Sequence, residues 1–103
     1  MDETTEKLLG ARTISPEIIK DIKKNVDSIV KFGKKIEKYK TQETTGLLDI
    51  ILFGAISLDA SDIHIEPQKD LSRIRIRIDG ILQDTAFLEQ NIYHNLISRL
   101  KLL

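Results

Sequence analysis

The sequence predicts an α+β domain: an antiparallel sheet of about three strands flanked by helices. Three observations carry this. Ala60 to Gly80 holds two runs in which isoleucines alternate with charged residues, the pattern of half-buried strands. Asp79-Gly80 then stands between Ile78 and Ile81. A two-residue Asp-Gly connection signals a type I′ hairpin, because both central residues need positive φ. On either side, apolar residues recur at three- and four-residue steps, the period of a helix.

The bulk properties narrow the function. At 103 residues the chain is one domain or a piece of one. Its 16 Lys+Arg balance its 16 Asp+Glu, which argues against a dedicated nucleic-acid binder. The charge is unevenly placed. Residues 16–40 hold eight lysines against four acids, and residues 44–103 hold six basic against eight acidic side chains. With no cysteine, no disulfide, thiolate nucleophile or cysteine-based zinc site is possible, which suits a cytosolic protein. No run approaches the roughly 20 apolar residues of a membrane span, so no transmembrane segment is expected. The N-terminus also lacks a signal-peptide core.

Taken in order, residues 1–14 are polar and weakly patterned and read as a flexible lead-in. Residues 15–43 read as one amphipathic, lysine-rich helix of unassigned role. Ser15-Pro16-Glu17 provides an N-cap hydroxyl, a first-turn proline and a first-turn carboxylate. Ile19, Ile22, Val26, Ile29, Val30 and Ile36 share a face, and the helix is expected to reach about Lys40. The lysines thicken toward its C-terminus, which favours the helix dipole. The plain reading is a solvated helix covering a core; the other is a basic surface that meets an acidic partner.

Thr44 or Thr45 is placed to cap the next helix. From Leu47 to Leu58 that helix is apolar nearly all round, so it belongs in the centre of the core, on the isoleucine face of the strands. Strands follow over Asp62–Glu66 and Arg73–Ile78, joined by Pro67–Leu71. A third, about Ile81 to Phe87, carries apolar residues on both faces, so cover on both sides is expected. Glu89 to Leu103 is helical again, with Ile92, Leu96, Ile97 and Leu100 on one stripe. A chain that stops on Leu-Leu in mid-stripe reads as truncated.

Two charged rows carry whatever chemistry the chain has. Asp62, His64 and Glu66 share one strand face at two-residue steps. They fit a metal site or an acid/base cluster, or they pair with the facing arginines. Arg73, Arg75 and Arg77 form the second row. Arginine offers a planar fork of donors suited to phosphate oxygens, so ion pairing and phosphate contact both stay open. The sequence contains no G-x-x-x-x-G-K-[ST], no G-x-S-x-G, no H-E-x-x-H and no dinucleotide fingerprint. The H-x-E spacing lacks the P-C-x-x-C half of a zinc deaminase. No complete active site is present, and no metal is assigned.

Several motifs stand in a familiar order. Leu48–Ile56 reads Leu-x-x-Ile-Leu-x-x-Ala-Ile, followed by Ala60-Ser61-Asp62-Ile63-His64-Ile65-Glu66-Pro67. Then come Arg75-Ile76-Arg77-Ile78-Asp79-Gly80-Ile81-Leu82 and Ile97-Ser98-Arg99-Leu100-Lys101. Together these resemble the N-terminal portion of the secretion ATPases that power type II secretion and type IV pilus assembly. The resemblance covers about residues 47–103.

The resemblance implies that residues 44–103 are a PAS-like module, truncated before a RecA-like ATPase domain that would carry the P-loop and Walker B elements. This chain is therefore not expected to hydrolyse ATP alone, whereas its parent is an ATPase using ATP and Mg. The implied parent is a cytoplasmic hexamer, peripheral to the inner membrane through secretion or pilus components. Its partners are the ATPase domain of the same protein and neighbouring subunits. Carried over by motif, Arg75, Arg77 and Arg99 become candidates for ATP-phosphate contact, in a regulatory module that couples nucleotide state to domain motion. Asp62, His64, Glu66, Asp79 and Gly80 match the family pattern as architecture. Gln83 stands where many members carry a basic residue. Further strands follow in the family, so an open sheet edge and self-association through it are expected here. The alternative is a stand-alone interaction or sensor module that uses no nucleotide.

Overall fold

In the computed structural model, residues 14–101 are described. They form α1 (Pro16–Asn25), α2 (Ile29–Tyr39), α3 (Thr44–Ser57), β1 (Asp62–Pro67), β2 (Leu71–Ile78), β3 (Ile81–Glu89) and α4 (Gln90–Leu100). The strands make one antiparallel sheet in the order β1-β2-β3. The α+β class and the three antiparallel strands are as the sequence predicts. The lead-in expected over residues 1–14 lies outside the described residues except for Ile14, whose side chain is buried at 1% exposure.

The expected single helix over residues 15–43 is two helices. Ser15 caps α1 by accepting from Ile18 N at 3.3 Å. The chain leaves α1 at Val26, which is extended, and Ser28 starts α2 by accepting from Lys31 N at 3.2 Å. Ser28 therefore does at a second site what Ser15 does at the first. Apolar spacing hid the break, because Ile22 and Val26 reach the core from one helix while Phe32 and Ile36 reach it from the next.

α3 is the centre of the core, and α1, α2 and α4 all pack on it. Its N-cap is Glu43 with no side-chain capping bond, so neither Thr44 nor Thr45 is the cap. Leu47, Leu48, Ile50 and Ile51 are all at most 1% exposed and join Ile74, Ile76 and Leu88 of the sheet in one cluster. Burying such side chains is worth about 1.5–3 kcal/mol each. Asp49 is buried in the same helix at 5% exposure.

Two glycines allow the helices to come this close. A Cβ on Gly33 of α2 would overlap the backbone carbonyl oxygen of Thr85 in β3, and one on Gly54 of α3 would overlap the Phe32 ring. Thr85 Oγ1 also donates to the Ile29 carbonyl at 3.0 Å. Thr85 itself is a bulge: the β2–β3 register pairs Ile74 with Ala86 but Arg75 with Asp84.

The bulge corrects the reading of β3. It turns Phe87 onto the face that Leu82 and Asp84 already share, and Ala86 and Leu88 onto the helix-facing side with Gln83. β3 is not covered on both sides: Ile81 is 62% and Phe87 44% exposed.

Candidate functional site

The β1–β2 register lays the two charged rows against each other one residue at a time. Asp62 faces Arg77, His64 faces Arg75 and Glu66 faces Arg73. Directly opposed residues share a face, so all six side chains stand on the side of the sheet away from the helices. The type I′ turn expected at Asp79-Gly80 is present, with φ of 52° at Asp79 and 81° at Gly80. It brings β3 back beside β2 and adds Asp84 to the charged face.

Each arginine is held differently. Arg77 donates from Nε to Asp62 Oδ2 at 3.1 Å and from Nη1 to the Gly80 carbonyl at 3.3 Å, so it braces the turn. Arg75 Nε lies 3.0 Å from Asp84 Oδ1, and its Nη1 lies 3.8 Å from Glu66. Arg73 donates to Glu66 Oε2 at 3.3 Å and sits 3.8 Å from Asp84. The Nε atoms of Arg73 and Arg75 are sealed from solvent without an aligned hydrogen bond. The face is thus a net of ion pairs, not a set of bidentate forks.

His64 Nε2 stands 2.7 Å from Asp62 Oδ1. That oxygen is sealed from solvent and takes no aligned hydrogen bond, so closeness to the imidazole is its compensation. Burial opposes ionisation of Asp62, but the Arg77 hydrogen bond and the adjacent His64 outweigh it and hold the carboxyl below its usual range. The carboxylates of Asp62 and Glu66 are engaged by Arg77 and by Arg73 and Arg75, and His64 stands between them. Among the described residues, no group of three or more His, Asp or Glu side chains is set to hold a metal ion.

Arg99 stands apart from this row. It is exposed in the last turn of α4, beside Thr44, Asn95 and Ser98, and makes no ion pair among the described residues. The motif that picked out Arg99 gave no hint of this separation, which depends on how α4 packs against α3. Gln83 pairs with Ile76 in the register, so it faces away from Arg75 and Arg77. Sequence reasoning missed Asp84 as a member of the charged face, although the register that runs back from the Asp79-Gly80 turn is enough to set it opposite Arg75.

The 12%-exposed Lys40 ties this sheet to the helices. Its Nζ lies 2.8 Å from Glu37 and 2.9 Å from Glu89, at the start of α4. The Glu37 hydrogen bond, helped by Glu89, raises the Lys40 pKa above its ordinary value, and Lys40 in turn lowers that of Glu89. No helix among the described residues is long and apolar enough to cross a membrane.

Comparison with known proteins fits this architecture. The chain is 39% identical over 82 residues to the protein transport protein HofB homolog of Haemophilus influenzae, covering 76% of this chain and 18% of that protein. It is 35% identical over 81 residues to the type IV pilus assembly ATPase TfpB of Acinetobacter baylyi, covering 78% and 14% respectively. It is 32% identical over 98 residues to the type IV pilus assembly ATPase PilB of Myxococcus xanthus, covering 95% and 16%. The chain thus spans less than a fifth of the length of these relatives. No solved structure matches it with significance. The model of the type II/IV secretion system protein family matches residues 37–103, which takes in both charged rows and Arg99, and the chain belongs to that family.

Proposed function

We propose that this chain is the N-terminal regulatory module of a type II secretion or type IV pilus assembly ATPase. In that role it packs on an ATPase domain of the same protein. Its arginines reach toward the phosphates of ATP held there, so that nucleotide state is coupled to domain motion. The observation that carries the reading is the family match over residues 37–103, which includes the R-x-R-x-D-G and S-R-x-K stretches. Relatives named as pilus assembly ATPases support the hydrolytic role of the parent.

The geometry supports unequal roles for the three arginines. Arg99 is exposed and makes no ion pair among the described residues. Arg77 spends Nε on Asp62 and Nη1 on Gly80 and keeps Nη2. Arg75 lies between Asp84 and Glu66 and is assigned to bracing the sheet. These donors fit phosphate oxygens, for which a guanidinium is well shaped. ATP bound with Mg²⁺ supplies the phosphoryl bond that the parent cleaves; this module contributes positive charge toward it. The parent would work in the cytoplasm as a hexamer docked to inner-membrane components.

The test is steady-state ATPase activity of a full-length protein carrying this module. Arg99→Ala and Arg77→Ala should each lower kcat on the order of 10²-fold, the scale of a lost transition-state charge contact. Arg75→Ala should leave kcat within a factor of a few. Full activity in the Arg99 and Arg77 variants would remove arginine donation from the account.

A further inference from the structure

We propose that the surface formed by α1 and α2 docks an acidic segment of a partner protein, whose Asp and Glu side chains enter a lysine-lined depression between the two helices. The depression is lined by Asn25, Lys31, Lys34, Lys35 and Lys38. Nearby acids are already committed. Asp21 pairs with Lys35 at 2.9 Å, Asp27 with Lys31 at 3.0 Å and Glu37 with Lys40 at 2.8 Å. Among the described residues Lys20, Lys23, Lys24, Lys34 and Lys38 make no ion pair, although Lys38 lies near enough to Asp21 to help hold it ionised, and all five are exposed.

Helix formation accounts for only part of this excess. Lys23 and Lys24 close α1, and Lys38 closes α2, where positive charge favours the dipole. Lys20 and Lys34 sit in mid-helix. They also stand four residues before Lys24 and Lys38, a spacing at which like charges destabilise a helix. The repulsion is relieved when an acidic partner lies across the surface.

Two of the lining side chains, Asn25 and Lys35, are held in place by Asp21. Asp21 Oδ1 accepts from Lys35 Nζ at 2.9 Å and from Asn25 Nδ2 at 2.6 Å, while Tyr39 OH reaches Oδ2 at 3.4 Å. The Lys35 side chain is 12% exposed, so its ammonium is part of the scaffold. Lys31, Lys34 and Lys38 form the rim, with Lys38 Nζ 5.8 Å from the Tyr39 ring centre.

A protein segment suits this surface better than a bilayer. Surface-lying helices bind membranes by inserting an apolar face. Here Ile22, Val26, Phe32 and Ile36 spend those faces in the core. A concave site admits carboxylate side chains one by one, whereas a flat headgroup layer meets only the rim.

The test is fluorescence anisotropy of a labelled oligoglutamate peptide titrated with the 103-residue chain. Binding should saturate at about 50 mM salt and weaken as screening increases. K34E/K38E should weaken it by at least about tenfold, as loss of charge complementarity does. K34Q/K38Q should weaken it less, and both variants should keep the parent circular dichroism spectrum. K69E/K101E makes the same charge change on the β1–β2 loop and beyond α4, and should bind like the parent. No binding at low salt, or equal loss in K34E/K38E and K69E/K101E, would overturn the proposal. Tighter binding to phosphatidylglycerol vesicles than to the peptide would also overturn it and give the surface to a membrane.

Discussion

The two faces of the sheet are made by alternate residues of the same strands, yet different forces hold them. On the helix side, Ile74, Ile76 and Leu88 are 0% exposed and share one buried cluster with side chains of α3. On the outer side, three arginines at 25–36% exposure share four acidic and imidazole neighbours. Apolar burial holds its energy in atoms that cannot find another partner nearby. Partly exposed ion pairs can exchange a lost partner for water, and each is worth about 0–1 kcal/mol. One face therefore fixes the fold, and the other is left with donors that a ligand could engage.

Phe32→Ala and Ile76→Ala should give the largest effects. Both side chains are fully buried, and cavity-forming losses of this kind cost about 3–5 and 2–5 kcal/mol respectively. Urea unfolding of each variant measures the loss. A cost below about 1 kcal/mol at either site would mean that the core is not shared between helices and sheet as described.

Gly33→Ala and Gly54→Ala come next, and here two effects compete. Alanine in place of glycine in a helix gains about 1 kcal/mol from propensity. The new Cβ, however, would strike a backbone oxygen at Gly33 and a buried ring at Gly54. Overpacking costs typically 1–3 kcal/mol and should win at both sites, more clearly at Gly33, where backbone must move. A raised melting temperature in Gly33→Ala would contradict the close approach of α2 to the β3 bulge.

Arg75→Ala should cost no more than about 1 kcal/mol, because Asp84 and Glu66 are 46% and 39% exposed and can resolvate. The contrast with Ile76, one residue away, is the sharpest form of the comparison. If Arg75→Ala destabilised as much as Ile76→Ala, the charged face would have to be counted as part of the core.

The strands were legible because their signals are local. Alternation from Asp62 to Ile78 fixed which residues share a face, and Asp79-Gly80 fixed the turn, so pairing of the carboxylate row with the arginine row followed. The features that escaped are those in which one periodic signal spans two states. Ile22, Val26 and Ile29 keep helical spacing across the break before Ser28. Thr85 carries no glycine or proline to mark its bulge, so strict alternation groups Leu82 with Leu88 and Ile81 with Phe87, whereas the bulge exchanges these partners. The glycines at 33 and 54 mean little until Thr85 and Phe32 are seen against them. In the site, the motif identified Arg99 as readily as Arg77, but only packing of α4 on α3 separates them.

Acid should divide the molecule along similar lines. The Lys35 hydrogen bond, opposed by burial and helped by Asn25, lowers the pKa of Asp21. A carboxylate lowered in the folded state contributes stability that is complete above its unfolded value, about pH 4, and is lost as pH falls through the folded value. Asp21, at 22% side-chain exposure, joins α1 to α2, whereas Asp62 is 41% exposed on the outer sheet face. Both are lowered, but solvent screens Asp62 more, so Asp21 should dominate the acid limb. Asp21→Asn should cost about 1 kcal/mol at pH 7 and flatten the decline of the urea midpoint between about pH 5 and pH 2. Asp62→Asn should leave that decline nearly as steep. An unchanged slope in Asp21→Asn, with a flattened one in Asp62→Asn, would mean that the outer face carries more of the fold than its exposure allows.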